Sequence, residues 1–225
     1  MRPLSNRLQV IFDQVPVGAK VADVGTDHAY LPIALAKAGK AESIIACDIK
    51  EKPLQKAREN IEKFGVSTVE TRLGDGISPI KEGEADTVII AGMGGDVITH
   101  ILSNCPWIKN PGVFLMLQPM TGAEVLRGFL NSNLFSIEKE IPLLDAGKVY
   151  SVMLVRYSGK KESLPAGFEF SGKVSAETNE GRLYLEKQRK RVFDCARSLS
   201  SIDGKEAEAR YYTEILNHLN TLLGI

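Results

Sequence analysis

Cysteine is scarce and scattered in this chain of 225 residues: Cys47, Cys105 and Cys195 are the whole supply. Their number is odd and no two form a CxxC pair, so a disulfide framework is excluded and a reducing, cytoplasmic setting is expected. Charge of one sign is not in excess either. Lys and Arg number 28, and so do Asp and Glu. No bulk field therefore draws the protein to nucleic acid, and any such contact has to be a local patch. No stretch approaches the roughly 20 apolar residues of a membrane span. The opening residues MRPLSNRLQVIFDQV carry charges throughout and do not read as a secretory leader. No His, Cys, Asp or Glu set has metal-ligand spacing, so no metal is expected. Internal repeats and low-complexity tracts are lacking as well.

What is present is a globular composition, 44% apolar and 25% charged, with enough apolar residues for a sizeable core. Residues 4–15 put Leu4, Leu8, Ile11, Phe12 and Val15 on one helical face. Strands are expected over 20–24, 42–48, 67–73, 86–91, 112–118, 135–143 and 148–156. Helices are expected between them over 29–38, 52–64, 96–102 and 124–131. The alternation implies right-handed crossovers and a mostly parallel, doubly wound α/β sheet of Rossmann-like type. The last two strands read as an antiparallel pair at an edge. A ligand crevice belongs beyond the C-terminal ends of the strands.

Composition turns polar near residue 158. Beyond it, helices are expected over 174–200 and 205–223, with apolar stripes Leu185, Val192, Ala196, Leu199 and Tyr212, Leu216, Leu219, Leu223. Two such stripes joined by a short turn predict a C-terminal, coiled-coil-like helical hairpin. The chain thus divides into a Rossmann-like domain over 1–158 and a helical domain over 159–225.

The strand ends carry the chemistry. The first ends in Asp23, Val24, Gly25, Thr26, Asp27, His28. An acid, a spacer and a glycine at that place suit a nucleoside-binding loop, because glycine turns tightly and admits a ligand to the main chain. A GxGxxG pattern is missing: its second and third glycine positions are Asp27 and Tyr30. Asp27 would repel a pyrophosphate, which argues against a nicotinamide dinucleotide. A phosphate-free ligand with a cationic centre fits, and S-adenosyl-L-methionine is such a ligand. Asp48, at the end of the second strand, is placed to accept both ribose hydroxyls. Asp75, in the Gly-Asp-Gly turn with Gly76, is placed to take the adenine amino group. Gly92, Met93, Gly94 and Gly95 end the fourth strand and allow donor and acceptor to approach the backbone.

The segments LSNRL, VADVGTDHAYLP, CDI, LGDG, IIAGMGG, LQP and KVYSVMLV follow one another in this order. Together they resemble the bacterial TrmK family of tRNA (adenine(22)-N(1))-methyltransferases, over about residues 4–156, and the helical tail is similar to that family's coiled-coil domain. The resemblance implies S-adenosyl-L-methionine as methyl donor and tRNA as partner. On it, Asp23, Gly25, Thr26, Asp27, His28, Asp48, Ile49, Asp75, Gly76, Gly92 and Met93 are expected to bind the donor. Asp27 and His28 are the candidate catalytic pair, Asp27 facing the charge that develops on the methylated base and His28 orienting it. Tyr30, Gly94, Gly95, Gln118, Pro119 and Tyr150 are expected on the substrate side, with Tyr30, Met93 or Tyr150 stacking on a flipped adenine. Met120 follows Gln118–Pro119 where the family pattern suggests an asparagine.

Lys187, Arg189, Lys190 and Arg191 form a basic run in the tail, the local excess that a neutral protein would need to grip tRNA phosphates. Two other readings share the scaffold: a small-molecule methyltransferase, which needs no basic tail, and a non-catalytic RNA-binding protein. Oligomeric state stays open between monomer and weak dimer.

Overall fold

A computed structural model describes residues 3–225; Met1 and Arg2, at the start of the expected first domain, lie outside the described residues. The elements run α1 (Asn6–Gln14), β1 (Ala19–Val24), α2 (Tyr30–Lys37), β2 (Ala41–Asp48), α3 (Glu51–Phe64), β3 (Val69–Leu73) and β4 (Thr87–Gly94). They continue with α4 (Gly95–Ser103), a 3-10 turn (Pro106–Ile108), β5 (Phe114–Thr121), α5 (Ala123–Ser132), β6 (Phe135–Asp145) and β7 (Lys148–Tyr157). The tail holds α6 (Phe168–Ser171), α7 (Asn179–Leu199) and α8 (Glu206–Leu223).

The seven strands form one sheet in the order β3-β2-β1-β4-β5-β7-β6. β3, β2, β1, β4 and β5 are parallel; β7 is antiparallel to both β5 and β6. This is the expected doubly wound Rossmann-like fold. The central apolar runs Val88–Ile90 and Leu115–Leu117 are buried, as strands covered on both faces must be. The expected edge pair is more specific in the structure. β7 is inserted into the sheet and only β6 is the edge, which accounts for the unbroken buried run Ser151–Val155.

Because β7 is antiparallel, the β6–β7 corner lies at the same rim as the C-terminal ends of the parallel strands. Leu117 pairs with Met153, so Gln118 to Met120 run alongside the start of β7. Asp145, at the end of β6, is brought to that rim as well.

The tail differs from expectation at its start. Residues 174–178 are not helical; α7 begins at Asn179, with the Thr178 side chain accepting from the Gly181 N–H at 3.0 Å. That cap satisfies a first-turn donor and fixes the boundary. Before it, Gly172 has φ +59° and ends the short α6. α7 and α8 pair around Tyr184, Leu185, Val192, Ile215, Leu219 and Leu223, a core separate from the two that flank the sheet. A buried ion pair joins this tail to the sheet. Arg127 Nη2 donates to Glu140 Oε1 and to Tyr184 Oη, and Arg127 Nη1 donates to the Glu169 and Phe170 carbonyls. Among the described residues no helix is long and apolar enough to cross a membrane.

Candidate active site

At the end of β1 the chain must leave the sheet at once, and Gly25 does so at φ +79°. The Gly25 and Thr26 N–H groups both donate to the Cys47 carbonyl, at 2.8 and 3.0 Å, tying this loop to β2. Asp23 is buried beneath the loop. Burial pushes its carboxyl up to about 6, the Thr26 hydroxyl opposing and the Asp48 carboxylate adding to the rise. Thr26 Oγ1 is buried beside the Asp23 carboxyl. Asp27 is exposed, with Oδ2 2.9 Å from His28 Nδ1. The His28 ring stacks on Tyr30, centroids 5.3 Å apart and planes 4° from parallel. A cleft of about 260 Å³ is lined by Arg7, Leu8, Asp23, residues 25–31, Ala91 and Gly92.

The neighbouring strand ends continue this rim. Asp48 Oδ1 accepts from the Lys50 N–H at 2.8 Å, and the Asp48 carbonyl accepts from Gly74 N–H. Ile49 beside it is 59% exposed, an apolar side chain held at the mouth. Asp75 and Gly76 follow β3. Gly76 has φ +55°, and a Cβ there would press on Ile101, so the turn requires glycine. Behind it a hollow of about 480 Å³ is walled by Asp75, His100, Asn104 and Trp107.

On the other side of β1, β4 carries a bulge: register with β5 shifts between Ala91 and Met93, leaving Gly92 out of the ladder. A Cβ on Gly25 would overlap the Met93 methyl, so Met93 reaches across the first loop. Gly95 packs directly on the Gly122 carbonyl, bringing the starts of α4 and α5 together.

The structure therefore gathers Asp23, Gly25, Thr26, Asp27, His28, Tyr30 and Gly92 around one cleft, with Asp48, Ile49, Asp75 and Gly76 on the adjoining strand ends and Met93, Gly94 and Gly95 opposite. Four substrate-side residues stand differently from expectation: Gly95 is buried, its bare backbone spent on the Gly122 carbonyl, and Gln118, Pro119 and Tyr150 are enclosed as well. Gln118 is fully buried: Oε1 accepts from Gly92 N–H at 3.1 Å and from Arg7 Nη1 at 2.9 Å, while Nε2 donates to the Pro119 carbonyl. Its polar groups are spent inside the protein, and Pro119 is buried beside it. Tyr150 is 9% exposed, with Arg7 Cζ 5.9 Å and Lys187 Nζ 5.8 Å from its ring centroid, so it is wall rather than open platform.

The basic run divides over the faces of α7 and is not one patch. Lys187 donates to the Val149 carbonyl, Arg191 pairs with Glu124, Arg189 donates to Asn220 of α8 and Lys190 pairs with Asp194. Burial, with the Arg191 and Lys148 cations nearby, holds the Lys187 ammonium below the usual lysine range.

Two residues escaped the sequence reading. Arg7 lines the cleft from α1, and Asp145 binds it, Arg7 Nε donating to Oδ2 at 2.8 Å. The one available signal for Arg7 was its place in LSNRL, a step off the apolar stripe. Among the described residues no three His, Cys, Asp or Glu side chains gather as a metal ion would require.

This donor set fits S-adenosyl-L-methionine: acids without a pyrophosphate cradle, carried on a glycine turn at the end of β1 that lines the cleft. Comparison with known proteins agrees. A family model described as a methyltransferase domain matches residues 4–153. The tRNA (adenine(22)-N(1))-methyltransferase of Bacillus subtilis (strain 168) is 38% identical over 75% of this chain and 71% of its own. The crystal structure of the B. subtilis m1A22 tRNA methyltransferase TrmK superposes with a TM-score of 0.86 at 29% identity, covering 99% of this chain and 100% of that one. A Streptococcus pneumoniae relative solved in complex with S-adenosyl-L-methionine gives a TM-score of 0.82 at 30% identity, covering 98% of this chain and 100% of that one. By sequence, by fold and by the residues at its strand ends, the chain belongs to the TrmK family of tRNA (adenine(22)-N(1))-methyltransferases.

Proposed function

We propose that the protein methylates N1 of adenine 22 in tRNA with S-adenosyl-L-methionine as donor. The observation that carries this reading is the cleft at the end of β1 with Asp23 and Asp27 in its lining, at the same sheet rim as the strand-end carboxylates Asp48 and Asp75 and built on a family member's fold. When bound, the donor supplies a methyl group on a sulfonium cation. Asp48 accepts hydrogen bonds from the ribose, with Ile49 against the adenine ring and Asp75 and Gly76 at its edge. Asp23 and Thr26 face the amino-acid end.

Adenine N1 attacks through a lone pair and has no proton to lose, so no strong base is needed before attack. The work left to the protein is alignment and charge. Gly92 to Gly94 let the two reactants approach the main chain, while Gly95 is taken up by its packing on the Gly122 carbonyl. The stacked His28 and Tyr30 rings, at the mouth of the same cleft, offer a face for a base drawn out of its stack. Asp27, exposed and beside His28, faces the positive charge of the methylated base.

The tail supplies RNA contacts. Lys187 and Arg191 look onto the seam beside Tyr150, with Lys148 close by, while Arg189 and Lys190 lie on other faces of α7. The reading puts the protein in the cytoplasm with the tRNA pool, as a monomer or weak dimer.

The test is methyl transfer from labelled S-adenosyl-L-methionine to unmodified tRNA transcripts, with nucleosides separated by mass. 1-Methyladenosine that disappears when adenine 22 is replaced is the expected result. Donor binding without transfer to any tRNA would overturn the substrate and leave the fold and donor standing.

A further inference from the structure

We infer that Arg7 is a positioning residue of this site: acting through Gln118, it fixes the Gly92 bulge against which the acceptor base is presented, an inference that rests on the methyl-transfer reading above. The bulge removes Gly92 from the β4–β5 ladder. Its N–H is taken instead by a side chain, Gln118 Oε1. That amide is held from both ends, because Nε2 donates to the Pro119 carbonyl at 2.9 Å while Oε1 accepts from Arg7 as well as from Gly92. A flipped amide would set its NH2 group against two donors, so the arrangement has one orientation.

Arg7 is itself anchored. Its Nε donates to Asp145 Oδ2, the Asn6 N–H donates to Asp145 Oδ1, and Asn6 Nδ2 donates to the Leu144 carbonyl. The first turn of α1 is thereby clamped to the β6–β7 corner, and one guanidinium joins that corner to the loop over the reacting atoms. A rigid, planar fork is needed to serve Asp145 and Gln118 at a fixed angle, which the single ammonium of lysine cannot do. The pair with Asp145 also neutralises Arg7, so the cleft gains a brace without gaining a cation beside a base that becomes positive.

The experiment compares wild type, Arg7→Ala, Arg7→Lys and Asp145→Asn. With tRNA as acceptor, Arg7→Ala is expected to lower kcat by about 100-fold, the order of loss that a small misplacement of reacting groups causes. The tRNA KM is expected to stay within about threefold, and donor Kd to rise by far less than kcat falls. Millimolar guanidinium should restore part of the Arg7→Ala turnover, and Arg7→Lys should not recover it. Independently of turnover, hydrogen exchange at the Gly92 amide should speed up by about tenfold or more in Arg7→Ala. Unchanged kcat, or a loss matched by an equal loss of donor affinity, would overturn the inference. So would unchanged exchange at Gly92. If Arg7→Ala does not fold, Asp145→Asn decides by the same two readouts. Should the wild type transfer no methyl to tRNA, the methyl-transfer reading fails, and the exchange rate at Gly92 still judges the brace.

Discussion

At the scale of single residues, the strand-end acids divide the work by burial. Asp23 is the buried one, pushed up to about 6 from an ordinary 3.8. Its folded value lies above its unfolded value, so the free protein holds the proton more tightly than the unfolded chain does. The stability this gives is fully present below the unfolded value and is lost as pH rises through about 6. A cationic ligand over Asp23 favours the ionised form and reverses the preference. Donor affinity should therefore fall as pH drops through about 6, and calorimetric titration of Asp23→Asn should lack that step. Asp48 stands apart: half-buried, it already accepts from Lys50 N–H. Asp48→Ala should weaken donor binding by about 10- to 100-fold, the order expected for hydrogen bonds to a charged acceptor. Thermal melting of the free protein should hardly move. Asp23, Asp48 and the glycines at the end of β4 were legible in the sequence because each closes an apolar run, and Asp75 because it sits in a Gly-Asp-Gly turn. Arg7, Asp145 and the true place of Gln118 were not, since their bonds span 111 and 138 residues and leave no local pattern.

At the scale of elements, periodicity located the strands and most helices, and it failed where a tertiary partner sets the boundary. The stretch before α7 has helical composition, yet Lys173 N–H donates to Glu140 and Thr178 caps the helix five residues later than the apolar spacing suggests. The antiparallel return of β7 into the sheet interior was half legible: its doubly buried run could be read, its partners could not. Gly172 marks a tight point at the junction before α7. It takes φ +59°, and a Cβ there would collide with the Glu140 carboxylate and the Arg127 guanidinium. Gly172→Ala should therefore break the buried pair and destabilise the fold by about 3–5 kcal/mol, read from the denaturant midpoint.

At the scale of the whole molecule, sheet and tail lean on each other. Removing residues 159–225 would strip Phe168 from the sheet core and take the Glu169, Phe170 and Tyr184 acceptors away from Arg127. A truncated protein should aggregate or melt far below the full chain in calorimetry, because part of the sheet core is uncovered and the Arg127 guanidinium keeps only Glu140 of its partners. Truncation is thus a poor probe of whether the tail grips RNA. Charge removal at the seam is a better one: Lys187→Ala should lower the salt slope of tRNA binding by about one and leave donor affinity alone.

The direction of α7 has a further consequence. The helix climbs from Tyr184, beside the buried pair, past Lys187 at Val149 to Arg191 at Glu124, which is the rim where the cleft opens. Eight residues remain from there to the end of the helix at Leu199, about 12 Å at 1.5 Å per residue, stiffened by α8. A stiff arm of set length beside a reaction centre is a ruler. On the reading that the tail grips RNA, which adenine lies within reach becomes a question of distance from the arm's tip.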